Sequence, residues 1–236
     1  MFNAIFSSAI MIFGISFIYG VGGSLYFDNL IYTLLPSPLL IMGMIFFMTG
    51  LFFKISLVPF HLWAADVYQG APTNVTLYLS TISKGAAAFA LMVILYKVFP
   101  ALAGVWQSVL SIIILCTILI GNLFAMRQKN MKRFLAFSSI SQAGYILLSI
   151  FNGTAQGMQA TLYFIFIYIF SNLAAFGVIT AIENKTGKVN MDDYNGLYKT
   201  NPKLTWAMTI AMFSLGGIPF TAGFFSKLFV FISAMK

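Results

Sequence analysis

Charge is what this sequence has least of. Only 8% of its 236 residues are charged, 13 Lys or Arg against 5 Asp or Glu. An ordinary soluble domain carries roughly 25%. A soluble fold of this size could not cover its surface with so few charges. That excludes a soluble globular domain, a disordered chain and a soluble nucleic-acid binder, even at a formal net charge of +8. Cysteine and histidine are scarcer still. One cysteine, Cys116, excludes a disulfide within the chain. With His61 as the one histidine, it also excludes an intrachain Fe–S cluster, a bis-His haem and a closed zinc site. Electrons and metals, where they are involved, belong to other subunits.

What is present is apolar: 60% hydrophobic residues, 17% aromatic. Residues 29–53, 98–126, 134–182 and 204–226 contain no Asp, Glu, Lys or Arg. A membrane-spanning helix needs roughly 20 apolar residues, whereas a barrel strand needs about 10 of alternating polarity. These runs are long and apolar on every face, so they predict helices. The fold class expected is all-α, a polytopic transmembrane bundle forming one membrane domain over 1–236. Spans are expected near 2–22, 39–58, 73–98, 105–126, 134–151, 158–182 and 205–236, with a short piece at 60–70. Turn signals separate them: Gly22–Gly23, Pro36-Ser37-Pro38, Pro72, Pro100 and Asn152–Gly153. Met1 is followed at once by apolar residues without a basic region, unlike a cleaved signal peptide. Both ends fall in apolar sequence, which predicts a piece of a longer chain.

Basic residues orient the bundle. Arg127, Lys129, Lys132 and Arg133 share one loop; Lys185, Lys188, Lys199 and Lys203 share residues 183–204. The helix count puts both loops on one side, and the opposite loops 23–38, 99–104 and 152–157 have no Lys or Arg. The positive-inside rule makes loops 127–133 and 183–204 cytoplasmic in a cell inner (plasma) membrane. The +8 is then a topology signal. The partners expected are the bilayer and other membrane subunits, with no nucleic acid.

Lys54, Lys84 and Lys227 stand inside apolar sequence. Lys84 lies eleven residues after Thr73, so roughly 16 Å into a core about 30 Å thick. A lysine there costs roughly 2.5–3.5 kcal/mol on the insertion scale. Snorkelling suits Lys97 and Lys236, near helix ends, but no interface is within reach of Lys84. All three lysines are expected to line a polar path. Residues 39–70 would be about 48 Å long as one straight helix, too long for one crossing. Pro59 supplies a break, and Gly216-Gly217-Ile218-Pro219 supplies another eight residues before Lys227. Broken helices survive at membrane depth where protein or a water-filled cavity satisfies the freed backbone. Two broken helices, each with one buried lysine, fit an ion-translocating protein built on repeats. His61 is either a proton relay or a polar residue held by the break near the interface. Asp66 either pairs with a buried lysine or caps or solvates the short 60–70 piece. Asp192 and Asp193 read as a solvated face and Glu183 as interfacial.

These residues together resemble a family. Phe53-Lys54-Ile55-Ser56-Leu57-Val58-Pro59-Phe60-His61-Leu62-Trp63, then Asp66-Val67-Tyr68-Gln69-Gly70-Ala71-Pro72-Thr73, is similar to the central signature of the subunit N family of proton-pumping NADH:quinone oxidoreductase, respiratory complex I. Ser83-Lys84, Lys132-Arg133-Phe134-Leu135-Ala136-Phe137-Ser138-Ser139-Ile140-Ser141-Gln142-Ala143-Gly144-Tyr145 and Ser214-Leu215-Gly216-Gly217-Ile218-Pro219-Phe220-Thr221-Ala222-Gly223-Phe224 continue in the family's order. The resemblance implies an antiporter-like fold of about fourteen helices with two inverted five-helix repeats. This chain would hold the sixth to twelfth helices, the discontinuous seventh and twelfth being the two broken ones, and would be truncated. The family's half-channel lysines fall on Lys54, Lys84 and Lys227, with His61 as a candidate relay; Pro59, Gly217 and Pro219 mark the breaks. The family's essential glutamate on the fifth helix would lie before Met1. The chain itself would hold no cofactor; FMN, Fe–S clusters and quinone are expected in partner subunits. The implied activity is proton translocation coupled to quinone reduction elsewhere in the complex. Burial disfavours an ammonium and a nearby carboxylate favours it, so moving that carboxylate tips a lysine between holding and releasing a proton. Two other readings remain: a subunit of a related multisubunit sodium/proton antiporter or membrane-bound hydrogenase, and a non-transporting scaffold. The Phe60-His61-Leu62-Trp63 and Asp66-Val67-Tyr68-Gln69-Gly70-Ala71-Pro72 wording favours the oxidoreductase over the antiporter.

Overall fold

The structure, a computed structural model, describes residues 2–33 and 35–235. Lys236, expected at an interface, lies outside the described residues. The chain forms a helical bundle: α1 (Phe2–Gly22), α2 (Phe27–Thr33), α3 (Pro38–Ile55), α4 (Leu62–Gly70) and α5 (Thr73–Tyr78). A π-helical turn, Leu79–Ser83, joins α5 to α6 (Lys84–Lys97). Then come α7 (Ala103–Ala125), α8 (Met131–Ile150), α9 (Ala155–Thr186), α10 (Leu197–Thr200), α11 (Pro202–Gly216) and α12 (Ala222–Ala234).

Local chemistry sets the boundaries. Ser37 caps α3 by accepting from the Leu40 N–H at 3.2 Å, with Pro38 in the first turn. Asn130 caps α8 through the Arg133 N–H, and Thr154 caps α9 through Gly157. The Thr154 cap starts α9 three residues before the expected 158, and the helix runs past 182 to Gly187, whose left-handed φ of +67° ends it. At 32 residues α9 is about 48 Å long, so it tilts or projects beyond the hydrocarbon.

Among the described residues, five helical segments are long and apolar enough to cross a membrane: Asn3–Gly22, Pro38–Ile55, Thr73–Lys97, Pro100–Ala125 and Ala155–Thr186. The expected crossing at 134–151 is α8, a more polar helix at the centre of the bundle. Fifteen of its twenty residues are buried, packed by α4, α6, α7, α9 and α12. Surrounded by protein, it needs no lipid-compatible face, so Ser139, Ser141, Gln142 and Ser149 are accommodated. The expected 205–236 helix is divided into α11 and α12, each too short to cross alone. The 23–38 loop contains α2, a short helix that no sequence signal announced.

Small residues let the helices close up. A Cβ on Gly14 would sit 2.5 Å from the Phe47 nitrogen, so α1 and α3 meet backbone to backbone. Gly121 does the same for α7 and α8, where a Cβ would lie 2.8 Å from the Ser141 nitrogen. The two basic loops meet on one side of the bundle through an antiparallel bridge between Asn130 and Asn190. There the Met131 N–H donates to Val189 O at 2.9 Å and the Met191 N–H to Lys129 O at 2.8 Å.

Candidate functional site

The first break begins earlier than the proline. Helix α3 ends at Ile55 because Ser56 turns left-handed, with φ 63°. The Ser56 and Leu57 N–H groups fold back onto Phe53 O and Phe52 O at 3.0 and 2.9 Å. The Val58 N–H is satisfied across the bundle by the Thr117 hydroxyl at 3.1 Å, which anchors the break to α7. Trp63 closes the other flank: its indole N–H donates to Phe53 O at 3.1 Å and its ring stacks on Phe53 at 5.3 Å. Pro59 lies within this non-helical link, exposed, and the Val58–Pro59 peptide is cis.

Lys54 sits in the last turn of α3. The expectation of a buried lysine at each break does not hold here. Lys54 is exposed, and no described residue bonds its ammonium. His61 is buried instead, its ring over Phe124 at 6.5 Å. Neither ring nitrogen makes a hydrogen bond of normal geometry, although the Pro59 carbonyl is a polar neighbour. Asp66 does not pair with a buried lysine; it solvates the short 60–70 piece. It is 72% exposed and pairs with Arg133 at 2.7 Å, which also holds Gln69 at 2.9 Å. That surface pair ties α4 to the start of α8 and leaves the buried lysines without Asp66.

Lys84 is 1% exposed. It comes directly after the π turn, where Ser80 and Thr81 both donate to Leu77 O, at 3.0 and 2.6 Å. A π turn carries an extra residue per loop of helix and so changes the direction in which α6 presents Lys84. Lys84 Nζ donates to the Ser139 hydroxyl of α8 at 2.8 Å and lies 5.5 Å from the centre of the Tyr68 ring. The Tyr168 hydroxyl donates to Ser80 O at 2.9 Å beside it. No carboxylate bonds Lys84 among the described residues.

Lys227, on α12, is partly buried and crosses back to α11. Its ammonium donates to Leu215 O at 2.8 Å and Gly216 O at 3.0 Å, the free carbonyls at the C-terminus of α11. A cation there complements the negative end of the helix dipole. The Tyr145 ring lies 4.8 Å away, and the Gln142 amide donates to the same Leu215 O at 2.9 Å. Gly217 has φ +79°, and a Cβ there would press on Lys227 Cδ at 2.8 Å. Pro219 lies in the exposed link between the helices. A cavity of about 340 Å³ adjoins Lys227, lined in part by Asn122, Ser138, Ser141, Gln142 and Tyr145. Between Lys84 and Lys227 the polar residues continue: Tyr168, Asn172, and the Ser171–Ser214 hydroxyl pair at 2.7 Å joining α9 to α11.

Sequence reasoning missed the partners. Ser139 for Lys84, Gln142 and Tyr145 near Lys227, and Lys132 with Thr73 around Glu183 are all distant in sequence from the residues they serve. The clustered hydroxyls at Thr76, Ser80, Thr81 and Ser83 were the one local signal of a special turn.

A family model described as NADH:quinone oxidoreductase/Mrp antiporter, TM, matches residues 1–236. The NADH-quinone oxidoreductase subunit N of Phocaeicola vulgatus is 61% identical over 233 residues, covering 98% of this chain and 49% of that protein. The chain thus spans about half the length of the curated relatives it matches. A chain of respiratory complex I from Thermus thermophilus superposes with a TM-score of 0.81 at 33% identity, over 99% of this chain and 51% of that one. A chain of the Mrp complex from Dietzia sp. DQ12-45-1b gives a TM-score of 0.92 at 29% identity, over 99% and 43%.

Proposed function

The chain belongs to the NADH:quinone oxidoreductase/Mrp antiporter membrane family, and from that premise we propose that it forms part of a proton-translocating subunit of NADH:quinone oxidoreductase. Protons move through Lys54, Lys84 and Lys227, with His61 as a relay beside the first break, coupled to quinone reduction elsewhere in the complex. FMN, Fe–S clusters and quinone reside in partner subunits. The subunit sits in the plasma membrane with its basic loops in the cytoplasm, as the positive-inside rule favours.

The observation that carries the reading is Lys84. A side chain that is 1% exposed, deep in a span and bonded to a neutral hydroxyl rather than a carboxylate, is costly in its charged form. An amine in that setting is suited to taking up a proton and giving it back. The carbonyls of α11 that hold Lys227 offer a second seat for a transient ammonium. The likeness to the Mrp chain favours, as a second reading, a related cation/proton antiporter subunit; 61% identity to a subunit N favours the oxidoreductase.

Lys84→Ala in the full-length subunit tests the proposal. Proton pumping and coupled quinone reduction should fall while assembly, checked on a native gel, stays near normal, because the removed charge was unfavourable to insertion. Wild-type pumping with collapsed assembly would make Lys84 a structural residue.

A further inference from the structure

Glu183 is unlike the other four acidic residues of the chain. Asp28 is on the opposite side in α2, Asp66 is a surface ion pair, and Asp192 and Asp193 lie in the basic-side loop. Glu183 lies near the end of α9, with its side chain 29% exposed on that same basic side. Both carboxylate oxygens are engaged. Lys132 Nζ, with a side chain only 6% exposed, donates to Oε1 at 2.6 Å, and the Thr73 hydroxyl donates to Oε2. Tyr194 stands close by; burial and the charges of Glu183 and Asp193 push its hydroxyl up to about 12, so it stays neutral there.

The two residues that hold Glu183 begin the two helices that meet at Lys84. Thr73 is the first residue of the segment carrying Lys84, eleven residues on. Lys132 is on α8, seven residues before Ser139, about 10 Å along the axis. Between the two levels lie buried hydroxyls. Thr76 is fully buried and donates to Tyr68 O at 3.1 Å. The buried Tyr68 hydroxyl makes no hydrogen bond of normal geometry, with Ser139 and Tyr168 as its polar neighbours.

Resting on the function proposed above and extending it, we propose that Glu183 is the carboxylate that admits protons from the basic-loop side toward Lys84, and that Lys132 positions it. A proton from water binds the exposed carboxylate, giving the neutral acid and releasing the Lys132 ammonium. It then passes from the Thr73 level, through water bridging the gap, to the Tyr68 and Ser139 hydroxyls and binds the lone pair of unprotonated Lys84. Glu183 returns to the carboxylate and re-forms the Lys132 pair. While Glu183 is neutral, the Lys132 ammonium lacks its carboxylate partner, which favours onward release of the proton and return of the ion pair.

The test uses the full complex in inverted membrane vesicles, with NADH as donor, measuring proton uptake alongside a native gel. Glu183→Gln should lower proton uptake at least fivefold with the complex assembled, and Glu183→Asp should stay within about twofold of wild type. The double variant Glu183→Gln with Lys132→Met removes both charges and should remain as low as the single one. Wild-type uptake in Glu183→Gln, or recovery in the double variant, overturns the proposal and makes the pair a structural clamp. Where Glu183→Gln fails to assemble, the double variant decides, since it leaves no unpaired buried charge. Lys84→Ala separates the two levels: uptake surviving that change sinks the function proposed above, whereas loss there with normal uptake in Glu183→Gln sinks only the role of Glu183.

Discussion

Gly223→Ala is a one-methyl change with a large expected effect. The residue opens α12 directly against the end of α11, and a Cβ there would lie 1.7 Å from Ser214 O and 2.5 Å from Ser214 C. Ordinary contact begins near 3.4 Å, so about 1.7 Å of separation is required. The obstacle is backbone rather than the tip of a flexible side chain, so rotamer changes cannot relieve it. The cost should reach the upper end of the overpacking range, about 3 kcal/mol. The displacement also falls on the seat of Lys227. Ser214 bonds Ser171, and the adjacent Leu215 and Gly216 carbonyls seat Lys227. Gly20→Ala is the internal control: nothing lies within 4 Å of a Cβ there, and alanine favours a helix over glycine by about 1 kcal/mol. The assay is thermal release of the subunit from the purified complex, monitored on native gels, together with proton pumping in vesicles. Gly223→Ala should lower the release temperature and pumping, and Gly20→Ala neither. A Gly223→Ala complex as stable and active as wild type would refute the packing of α12 against α11.

The same geometry sets the outcome of three other substitutions. Ser139→Ala removes the bonded partner of the Lys84 ammonium and should cost about 1.5–3 kcal/mol as well as slowing pumping, read by the same two assays. Asp66→Asn breaks an exposed ion pair and should shift stability by less than about 1 kcal/mol with pumping intact, measured by thermal release. Lys54→Arg keeps the charge but carries a guanidinium that does not release protons in proteins, so an assembled variant should fail to pump; normal pumping would show Lys54 acting as a fixed charge.

Both breaks were legible from residue types with strong backbone meaning: Pro59 in a stretch too long for one crossing, and Gly217 with Pro219 near Lys227. The depth of Lys84 came from counting residues from Thr73. The exact stop of α3 did not, because Ser56 takes a left-handed conformation that serine seldom adopts and that cross-bundle contacts such as Val58 to Thr117 support. The π turn before Lys84 likewise has no period of its own in the sequence. Helix α8 reads in sequence as one span among seven, although its serines and Gln142 signal a helix shielded from lipid. Lys54 and Lys227 share a vocabulary in sequence, Phe-Phe before lysine and a nearby proline, yet one ammonium is exposed and the other sits on α11 carbonyls. Burial depends on which neighbouring helix covers a face, and local spacing does not encode that. Pairs such as Glu183 with Lys132 are 51 residues apart and become visible only in three dimensions.

The central claim is that Lys84 exchanges a proton rather than supplying a permanent positive charge. Lys84→Arg tests it most directly, by proton uptake per NADH oxidised in vesicles carrying the assembled full complex. Arginine preserves the charge beside Ser139 and Tyr68 but cannot alternate between protonation states. The expected result is an assembled complex whose proton yield per NADH falls well below wild type. An assembled Lys84→Arg complex with the full wild-type yield would contradict the claim.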